Sequence, residues 1–226
     1  MRIIAWPCAA PGGNGEEFAL VAGKPDSTTR VLLVPALFEE ANRTRRMMVE
    51  TMRALARADI ASVLPDLPGC NESLAPLERQ DLGTWRDAMA AATVHFAANH
   101  VLSLRGGALV APGDLPGWRL EPVGGAQVLR PLLRARTVAS REEGRAETMD
   151  GLLEHARDAG IDLAGYRLGA ALVRDLEATS LPEAPIQSAL TLADLGGAAL
   201  WLRSEPGEDA DLSAALAARI AADLMP

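Results

Sequence analysis

The stretch His100–Ala111 constrains the fold of this chain more than any other segment. Its sequence, HVLSLRGGALVA, begins with a short apolar run and continues through two glycines into small residues. An apolar run of this length is typical of a buried strand, and paired glycines mark a sharp turn. We therefore predict a strand that turns at Arg105 directly into a helix.

Strand and helix patterns alternate on both sides of this stretch. The unbroken apolar run Val31–Val34 is typical of a strand covered on both faces. Met48, Met52 and Leu55 share one face of a helix and are predicted to fill the core, with Asn42 as the candidate N-cap. Further strands are predicted over residues 2–6, 16–22, 60–64, 118–122, 186–192 and 198–202, and a strand or an extended arm over 161–168. Further helices are predicted over residues 81–98, 148–158 and 169–178, around Val128–Leu133 and along Leu212–Leu224, with an exposed excursion at 137–149.

These elements predict one α/β domain over residues 1–226. The turn residues 11–15 join the first two strands as an antiparallel hairpin, and the later strands alternate with helices. We expect a mainly parallel, twisted sheet of about eight strands with helices on both faces. Residues 137–181 are predicted to form a helical or extended excursion from this sheet.

The composition excludes several classes of function. The formal net charge of −8 and the pI of about 5.0 argue against a surface that binds nucleic acid. Residues 1–13 lack the long apolar run of a signal peptide, and no stretch reaches the roughly 18 consecutive apolar residues of a membrane helix. Cys8 and Cys70 have the spacing of neither a disulfide framework nor a zinc site. We therefore expect a cytoplasmic protein that uses no metal and no cofactor.

The turn at Arg105 has the layout of a nucleophile elbow, whose usual pattern is Gly-x-Ser-x-Gly. In that pattern Ser103 takes the place of the first glycine, Gly107 that of the last, and Arg105 that of the nucleophile. Arginine cannot attack a carbonyl, because its guanidinium stays protonated and offers only hydrogen-bond donors. The substitution therefore argues against acyl transfer from this position.

The chain resembles the α/β-hydrolase fold and, more narrowly, the exosortase A system-associated hydrolase 2 group of bacterial proteins. The residues that carry the resemblance are Val34-Pro35, Glu39-Glu40, Asn42, Arg45-Arg46, Asp66, Gly69-Cys70, Ser73, Leu104-Arg105, Gly107-Ala108-Leu109, Glu121-Pro122-Val123, Gly125, Leu133-Arg134, Arg136 and Gly165-Tyr166. Together they span residues 31 to about 180, while Ala36, Asn71 and Glu121 depart from the pattern of the group. The resemblance implies a role linked to machinery that sorts envelope proteins and exports polysaccharide.

A Ser-His-acid mechanism also requires a histidine after the last strand of this fold and an acid that orients it. The three histidines are His95, His100 and His155, so none follows the last predicted strand. Asp194 stands where the fold often carries its acid, but without a histidine it is predicted to be a turn or capping residue. A Ser-His-acid site is therefore not expected.

The candidate site lies around Arg105. Glu39 and Glu40 sit on the loop that borders the elbow in this fold, so we expect Arg105 to pair with one of them, and the sequence leaves open which. Alternatively, Arg105, Gly106 and Glu39 bind a small ligand that carries a carboxylate or a phosphate, or they bind a partner protein.

The sequence therefore predicts a protein with a degenerate catalytic site that acts as a binding or accessory factor. An active hydrolase with an atypical site is the competing hypothesis. Its reactive groups would be Glu39, Glu40, Asp66 or the Cys70 thiol, and its substrate a small ester or thioester. No histidine or helix terminus near Cys70 in the sequence is predicted to lower the pKa of its thiol. A third hypothesis is a scaffold whose useful surface is a homodimer interface.

Overall fold

The computed structural model describes residues 1–224, which form nine strands and seven α-helices. The strands are β1 (Arg2–Pro7), β2 (Glu16–Ala22), β3 (Arg30–Val34), β4 (Ala61–Pro65), β5 (His100–Leu104), β6 (Gly117–Leu120), β7 (Ile161–Leu163), β8 (Tyr166–Leu168) and β9 (Gln187–Leu190). The helices are α1 (Glu39–Arg57), α2 (Leu82–His95), α3 (Gly125–Glu142), α4 (Met149–Ala159), α5 (Ala170–Ala178), α6 (Leu192–Leu195) and α7 (Ala210–Leu224). Short 3-10 helices cover Leu77–Arg79, Arg105–Leu109 and Leu200–Leu202. Among these residues no helix is both long and apolar enough to cross a membrane.

The large sheet is mainly parallel, as predicted. Its order is β1-β2-β4-β3-β5-β6-β9, in which β1 and β2 form the predicted antiparallel hairpin and the other five strands run parallel. β7 and β8 pair with each other as a separate antiparallel hairpin, so the segment 161–168 is a strand pair rather than an extended arm. The carboxyl ends of the parallel strands therefore meet at one edge of the sheet, where Arg105 follows β5.

Helices cover both faces of the large sheet and bury a core on each. α1 and α7 pack on one face, where Met48, Met52 and Leu55 are fully buried as the helical spacing predicts. The apolar residues of α2, α3, α4 and α5 belong to the core on the other face, where α2 contacts β3 and where α3, α4 and α5 pack against one another. Continuous burial of Val31–Val34 in β3 and of β4 between these layers explains why, apart from Ser62, these residues are apolar rather than alternating.

The predicted last strand over residues 198–202 is wrong. Gly196 and Gly197 have left-handed φ angles of 77° and 90°, which turn the chain away from the sheet. The residues that follow form a single turn of 3-10 helix, in which Leu200 and Trp201 are both buried. The large sheet consequently has seven strands instead of about eight.

Two boundaries on the helical side also differ from the prediction. α1 begins at Glu39 with Phe38 at the N-cap, so Asn42 lies one turn inside the helix, where its Nδ2 donates to the Tyr166 hydroxyl at 3.0 Å. Acidic residues in the first turn suit the positive end of the helix dipole, which favours the earlier start. The excursion predicted at 137–149 is helical as far as Glu142, because the buried Ser140 anchors the last turns of α3.

β6 begins at Gly117, where the chain passes very close to β5. A Cβ atom at this position would lie 1.8 Å from the backbone oxygen of Val101. We expect Gly117→Ala to lower the free energy of unfolding by at least about 3 kcal/mol, because the two strands must move apart. Gly113→Ala is the matched control, since no atom lies within 4 Å of its added Cβ. Urea unfolding of both variants measures the difference, and equal midpoints would contradict this close approach.

Candidate functional site

The turn after β5 has the geometry of a nucleophile elbow. β5 ends at Leu104, and Arg105 has a left-handed φ of 52°, a conformation that residues other than glycine rarely adopt. The 3-10 helix Arg105–Leu109 follows at once, which confirms the predicted strand-to-helix turn. This 3-10 helix has five residues, and the chain returns to the sheet as β6 at Gly117.

The two glycines of the turn are needed for close packing. A Cβ atom on Gly107 would lie 2.2 Å from the backbone oxygen of Pro35, and one on Gly106 would lie 2.6 Å from Cγ2 of Val128. The first contact is with backbone and the second with a packed side chain, and neither leaves room for a Cβ atom. The turn is therefore held against the loop between β3 and α1, which carries Leu37 and Phe38.

The guanidinium of Arg105 has three hydrogen-bond contacts within the protein. Its Nε and Nη2 donate to Oε2 and Oε1 of Glu40, each at 3.1 Å, and its Nη1 donates to the backbone oxygen of Glu121 at 3.2 Å. The two paired side chains are only 15% and 18% exposed. Two-point, charge-assisted pairing of this kind fixes the guanidinium in one orientation. Glu39 instead lies 3.6 Å from Arg43, so the partner that the sequence left open is Glu40.

Trp201 makes a further contact with Arg105 that the sequence did not predict. The Cζ atom of Arg105 lies over the indole ring, 4.8 Å from its centroid, at the distance of a cation–π contact. The backbone oxygen of Trp201 accepts a hydrogen bond from Nη1 of Arg43 at 3.0 Å, which ties this turn to α1. Because the segment resembles a strand in its local pattern, no signal in the sequence places Trp201 at the elbow.

Glu121 links the site to the segment after β9. Its backbone oxygen accepts from Arg105, and its carboxylate Oε1 accepts from the backbone N–H of Leu192 at 2.9 Å. The neighbouring Asp194 caps α6, since its Oδ2 accepts from the backbone N–H and the hydroxyl of Thr191 at 2.7 and 2.8 Å. The capping role predicted for Asp194 is thus confirmed.

A cavity of about 270 Å³ lies beside the Arg105–Glu40 pair, and we call it the Trp201 cavity. Its apolar walls include Leu37, Val128, Leu132, Ala135 and Trp201, and its polar lining residues are Glu39, Glu40 and Arg43. The cavity therefore combines a mainly apolar surface with a few charged groups, as small-molecule sites generally do.

A second polar cluster lies where β2 and β4 pair. Glu17 and Asp66 are 1% and 3% exposed. Asp66 Oδ1 accepts from Nδ2 of Asn71 at 2.7 Å and from Nη1 of Arg45 at 3.2 Å. The Ser73 hydroxyl donates to Glu17 Oε1 at 2.8 Å, while Glu17 Oε2 is buried without a partner among the described residues. Within residues 1–224, no group of three or more histidine, cysteine, aspartate or glutamate side chains is arranged to hold a metal ion.

Burial raises the pKa values of the two carboxyl groups in this cluster. Desolvation raises the pKa of Glu17, and the hydrogen bond from Ser73 only partly offsets it. Desolvation also raises the pKa of Asp66 against the opposing effect of Arg45. The negative charge of Asp66 raises the pKa of Glu17 further, because two nearby carboxylates repel each other.

Cys70 lies beside the same carboxyl groups. Its thiol has its pKa raised to about 12, chiefly by burial and further by the negative charges of Asp66 and Glu17. The residue lines a cavity of about 240 Å³ together with Phe38 and Tyr166. At neutral pH the Cys70 thiol is therefore protonated, and a protonated thiol is a poor nucleophile.

The three histidines and Ser103 take no part in the pair between Arg105 and Glu40. His100 is the first residue of β5, at the opposite end of the strand from Arg105, and His95 ends α2. His155 lies on α4, and in the described part of the chain none of the three hydrogen-bonds to Arg105. Ser103 is fully buried within β5, and its hydroxyl has no partner among residues 1–224.

No protein-family model matches the chain, and no curated protein matches it. Solved structures do match. Mouse α/β-hydrolase domain-containing protein 10 aligns with 84% of this chain over 77% of its own length, at 14% identity and a TM-score of 0.56. Est1E from Butyrivibrio proteoclasticus, solved with ferulic acid bound, aligns with 79% of this chain over 75% of its own length, at 13% identity and a TM-score of 0.54. The chain has the α/β-hydrolase fold.

A proposed hydrolase from Agrobacterium vitis S4 extends the likeness over almost the whole chain. It aligns with 99% of this chain over 97% of its own length, at 13% identity and a TM-score of 0.50. Against several other matched structures the chain spans only 33% to 58% of their length. Structural similarity at these sequence identities shows only that the α/β-hydrolase fold is shared. The chemistry of this chain has to be argued from its own site.

Removal of Arg105 tests the pair at the elbow. We expect Arg105→Ala to lower the free energy of unfolding by about 2–3 kcal/mol, because it leaves the Glu40 carboxylate mostly buried without its counter-charge. Adding Glu40→Ala should recover most of this loss. Adding Glu39→Ala should change it by less than about 0.5 kcal/mol, because that carboxylate belongs to a more exposed pair. A double-mutant cycle in urea measures both couplings, and a larger coupling to Glu39 would contradict the pairing.

Glu17 makes stability depend on pH. Its folded-state pKa is raised, so the folded protein holds this proton more tightly than the unfolded chain does. The resulting stabilisation is complete below the unfolded-state pKa and is lost as the pH rises through the folded-state pKa. We therefore expect Glu17→Gln to gain stability relative to the natural protein as the pH is raised from 4 to 8. Chemical unfolding across that range tests this, with the exposed Glu16→Gln as control, and a constant difference would contradict it.

Proposed function

We propose that this chain is a pseudoenzyme: a protein with the α/β-hydrolase fold that binds or assists instead of hydrolysing. The observation that carries the proposal is the state of Arg105. This residue stands where hydrolases of the fold place their nucleophile, and its guanidinium is committed to both oxygens of Glu40. A guanidinium has no lone pair with which to attack a carbonyl. Glu40 holds this guanidinium in place through two hydrogen bonds, so Arg105 occupies the nucleophile position of the turn.

The position of the base supports the same proposal. In this fold the histidine of the triad follows the last strand and contacts the nucleophile. Here the segment after β9 contributes Trp201 to the elbow, and the indole lies over the guanidinium. An indole N–H donates hydrogen bonds but cannot accept a proton from a nucleophile.

An active hydrolase with an atypical site is the alternative, and the contacts of its candidate groups do not favour it. The Cys70 thiol has a pKa of about 12, and Asp66 is engaged by Arg45 and Asn71. Glu39 and Glu40 line the Trp201 cavity, where each lies beside an arginine. Among residues 1–224, no histidine hydrogen-bonds to any of these groups to activate it for acyl transfer.

The cellular role that we propose rests on the resemblance to the exosortase A system-associated hydrolase 2 group. It is that of a bacterial, cytoplasmic accessory factor for envelope-protein sorting or exopolysaccharide export. An anionic ligand at Arg105 would have to displace Glu40 from a two-point pair. A partner protein or an uncharged ligand therefore fits the site better than a carboxylate or a phosphate.

Active-site labelling tests the proposal. We expect the purified protein to resist covalent labelling by a fluorophosphonate probe under conditions that fully label an active serine hydrolase, because no activated hydroxyl stands at the elbow. We also expect no hydrolysis of p-nitrophenyl acetate above the rate seen with the unfolded chain. Labelling that a Ser103→Ala or Ser73→Ala substitution abolishes would overturn the proposal.

Arg105→Ser serves as the companion variant in the same assay. It restores a hydroxyl at the elbow but supplies no base, so it should remain inactive even where it is folded. Circular dichroism and a thermal unfolding curve establish that the variant is folded. Efficient ester hydrolysis by Arg105→Ser would mean that another group in the chain acts as the base.

A further inference from the structure

Helix α3 is basic, although the chain as a whole is acidic. It carries four arginines and one glutamate, whereas the formal net charge of the chain is −8. Three of these arginines are exposed and follow one another at spacings of four and seven residues, which places them on one face of the helix: Arg130, Arg134 and Arg141. We call this set the arginine face. Among residues 1–224, none of the three pairs with a carboxylate, so their charges are available to a partner.

An exposed apolar row runs beside the arginine face on the same helix. Pro131, Ala135 and Val138 are spaced by four and three residues and are all exposed, Val138 by 53%. Pro131 and Ala135 also line the Trp201 cavity, and so does Leu202, which is 75% exposed. We call the surface formed by Pro131, Ala135, Val138 and Leu202 the α3 groove. Exposed apolar surface with a charged rim is typical of interaction sites between proteins.

The Trp201 cavity gives this groove its depth. Its volume is about 270 Å³, which is below the roughly 300–1,000 Å³ of sites for drug-sized ligands. At roughly 30 Å³ for each water-sized group it holds about nine non-hydrogen atoms, which corresponds to about two leucine side chains. A helix carries two such side chains one turn apart on the same face, so a docked helix can fill the cavity.

The charge beside the groove favours an acidic partner. A purely apolar segment would leave the arginine face unpaired at the edge of the interface. Carboxylates that flank the apolar anchors of a partner would instead form charge-assisted hydrogen bonds with these guanidinium groups. They need not displace Glu40, because the guanidinium that Glu40 binds is that of Arg105 and not one of the arginine face.

Two other occupants fit this surface less well. In a two-fold dimer through α3 the same patch meets itself, which would bring two arginine faces together. An anionic membrane attracts cationic helices, but the net charge of −8 opposes the approach of this chain. The α3 groove is also concave at the Trp201 cavity, whereas apolar side chains that enter lipid have to protrude.

We propose that the α3 groove docks an amphipathic, acidic helix of a partner protein. The apolar side chains of this helix enter the Trp201 cavity and cover Leu202, and its carboxylates pair with Arg130, Arg134 and Arg141. The assignment deepens the proposed function, on which it rests, because it names the kind of partner that a binding protein of this fold recruits.

Two peptides of matched length and pattern test the proposal. One consists of about three Leu-Glu-Glu-Leu-Leu-Glu-Glu repeats, and the other has lysine in place of every glutamate. We expect the chain to bind the glutamate peptide at least about tenfold more tightly, measured by fluorescence anisotropy of the labelled peptides at neutral pH and low salt. Net charge alone favours the lysine peptide, so the expected preference requires a local cationic face. Equal affinities, or tighter binding of the lysine peptide, would overturn the proposal.

Charge reversal locates the binding. Arg134→Glu should weaken binding of the glutamate peptide at least about tenfold, because it replaces an attraction with a repulsion within the arginine face. Arg57→Glu is the matched control, since Arg57 is exposed at the end of α1, which packs on the other face of the sheet. Circular dichroism establishes that both variants are folded. Equal effects of the two substitutions would refute the assignment to α3.

A second pair of substitutions tests the apolar part of the groove. Leu202→Ser should weaken binding of the glutamate peptide about tenfold, because it removes apolar surface that docking buries. Val94→Ser should leave the affinity unchanged, since Val94 is 82% exposed on α2 and does not line the Trp201 cavity. An unchanged affinity of Leu202→Ser would show that the arginines bind carboxylates without the groove, and it would contradict the docking of a helix.

Co-sedimentation with phosphatidylglycerol vesicles and sedimentation velocity of the free chain test the other two occupants. We expect no vesicle binding and a monomer. Vesicle binding that the glutamate peptide competes away would assign the groove to a membrane, and a dimer that Arg134→Glu dissociates would assign it to a second copy. Either result would overturn the proposal.

The peptide titrations also separate this inference from the proposed function. If the chain binds the glutamate peptide as expected but is labelled by the fluorophosphonate probe, the non-hydrolysing role fails while the docking surface stands. If the chain resists labelling but does not prefer the glutamate peptide, the docking surface fails while the non-hydrolysing role stands.

Discussion

The two-point pair between Arg105 and Glu40 joins the parts of the molecule that meet at the carboxyl end of the sheet. It connects the turn after β5 to the first turn of α1 and reaches the end of β6 through Glu121. A guanidinium can be largely buried at a left-handed corner only when its N–H groups find acceptors, and here two carboxylate oxygens and one carbonyl provide them. The indole of Trp201 then lies over a fixed cation, which positions the chain after β9.

Most of the fold could be predicted from local sequence patterns. The apolar runs of β3, β4 and β5, the helical stripe of α1 and the N-terminal hairpin all follow from periodicity and turn residues, which act over a few positions. The segment 198–202 could not be predicted in this way. A short apolar run is compatible with a strand or with a buried turn. Here Gly196 and Gly197 turn the chain, and Trp201 then contacts Arg105 and Arg43, which are distant in sequence.

The site could be predicted only in outline. An arginine at the elbow with an acidic partner on the neighbouring loop follows from the sequence, but Glu39 and Glu40 point about 100° apart around a helix. The choice between them depends on where α1 begins, and the assignment of Asn42 as its cap left that starting point wrong. Glu17 was missed for a related reason. It lies near Asp66 because β2 pairs antiparallel with β4, with Ala19 opposite Pro65. The sequence of a strand does not show which other strand it pairs with.

The turn of the chain at Gly196 and Gly197 determines how the large sheet ends. β9 pairs with β6 along one side, and within residues 1–224 no strand pairs with its other side. Exposed rows of peptide groups recruit strands from other molecules when they are long and flat. β9 has four residues, and Ser188 and Ala189 in its middle carry small side chains exposed to solvent. An edge strand this short is a poor template for fibre growth, so the sheet can end at β9 without a further element that covers its edge.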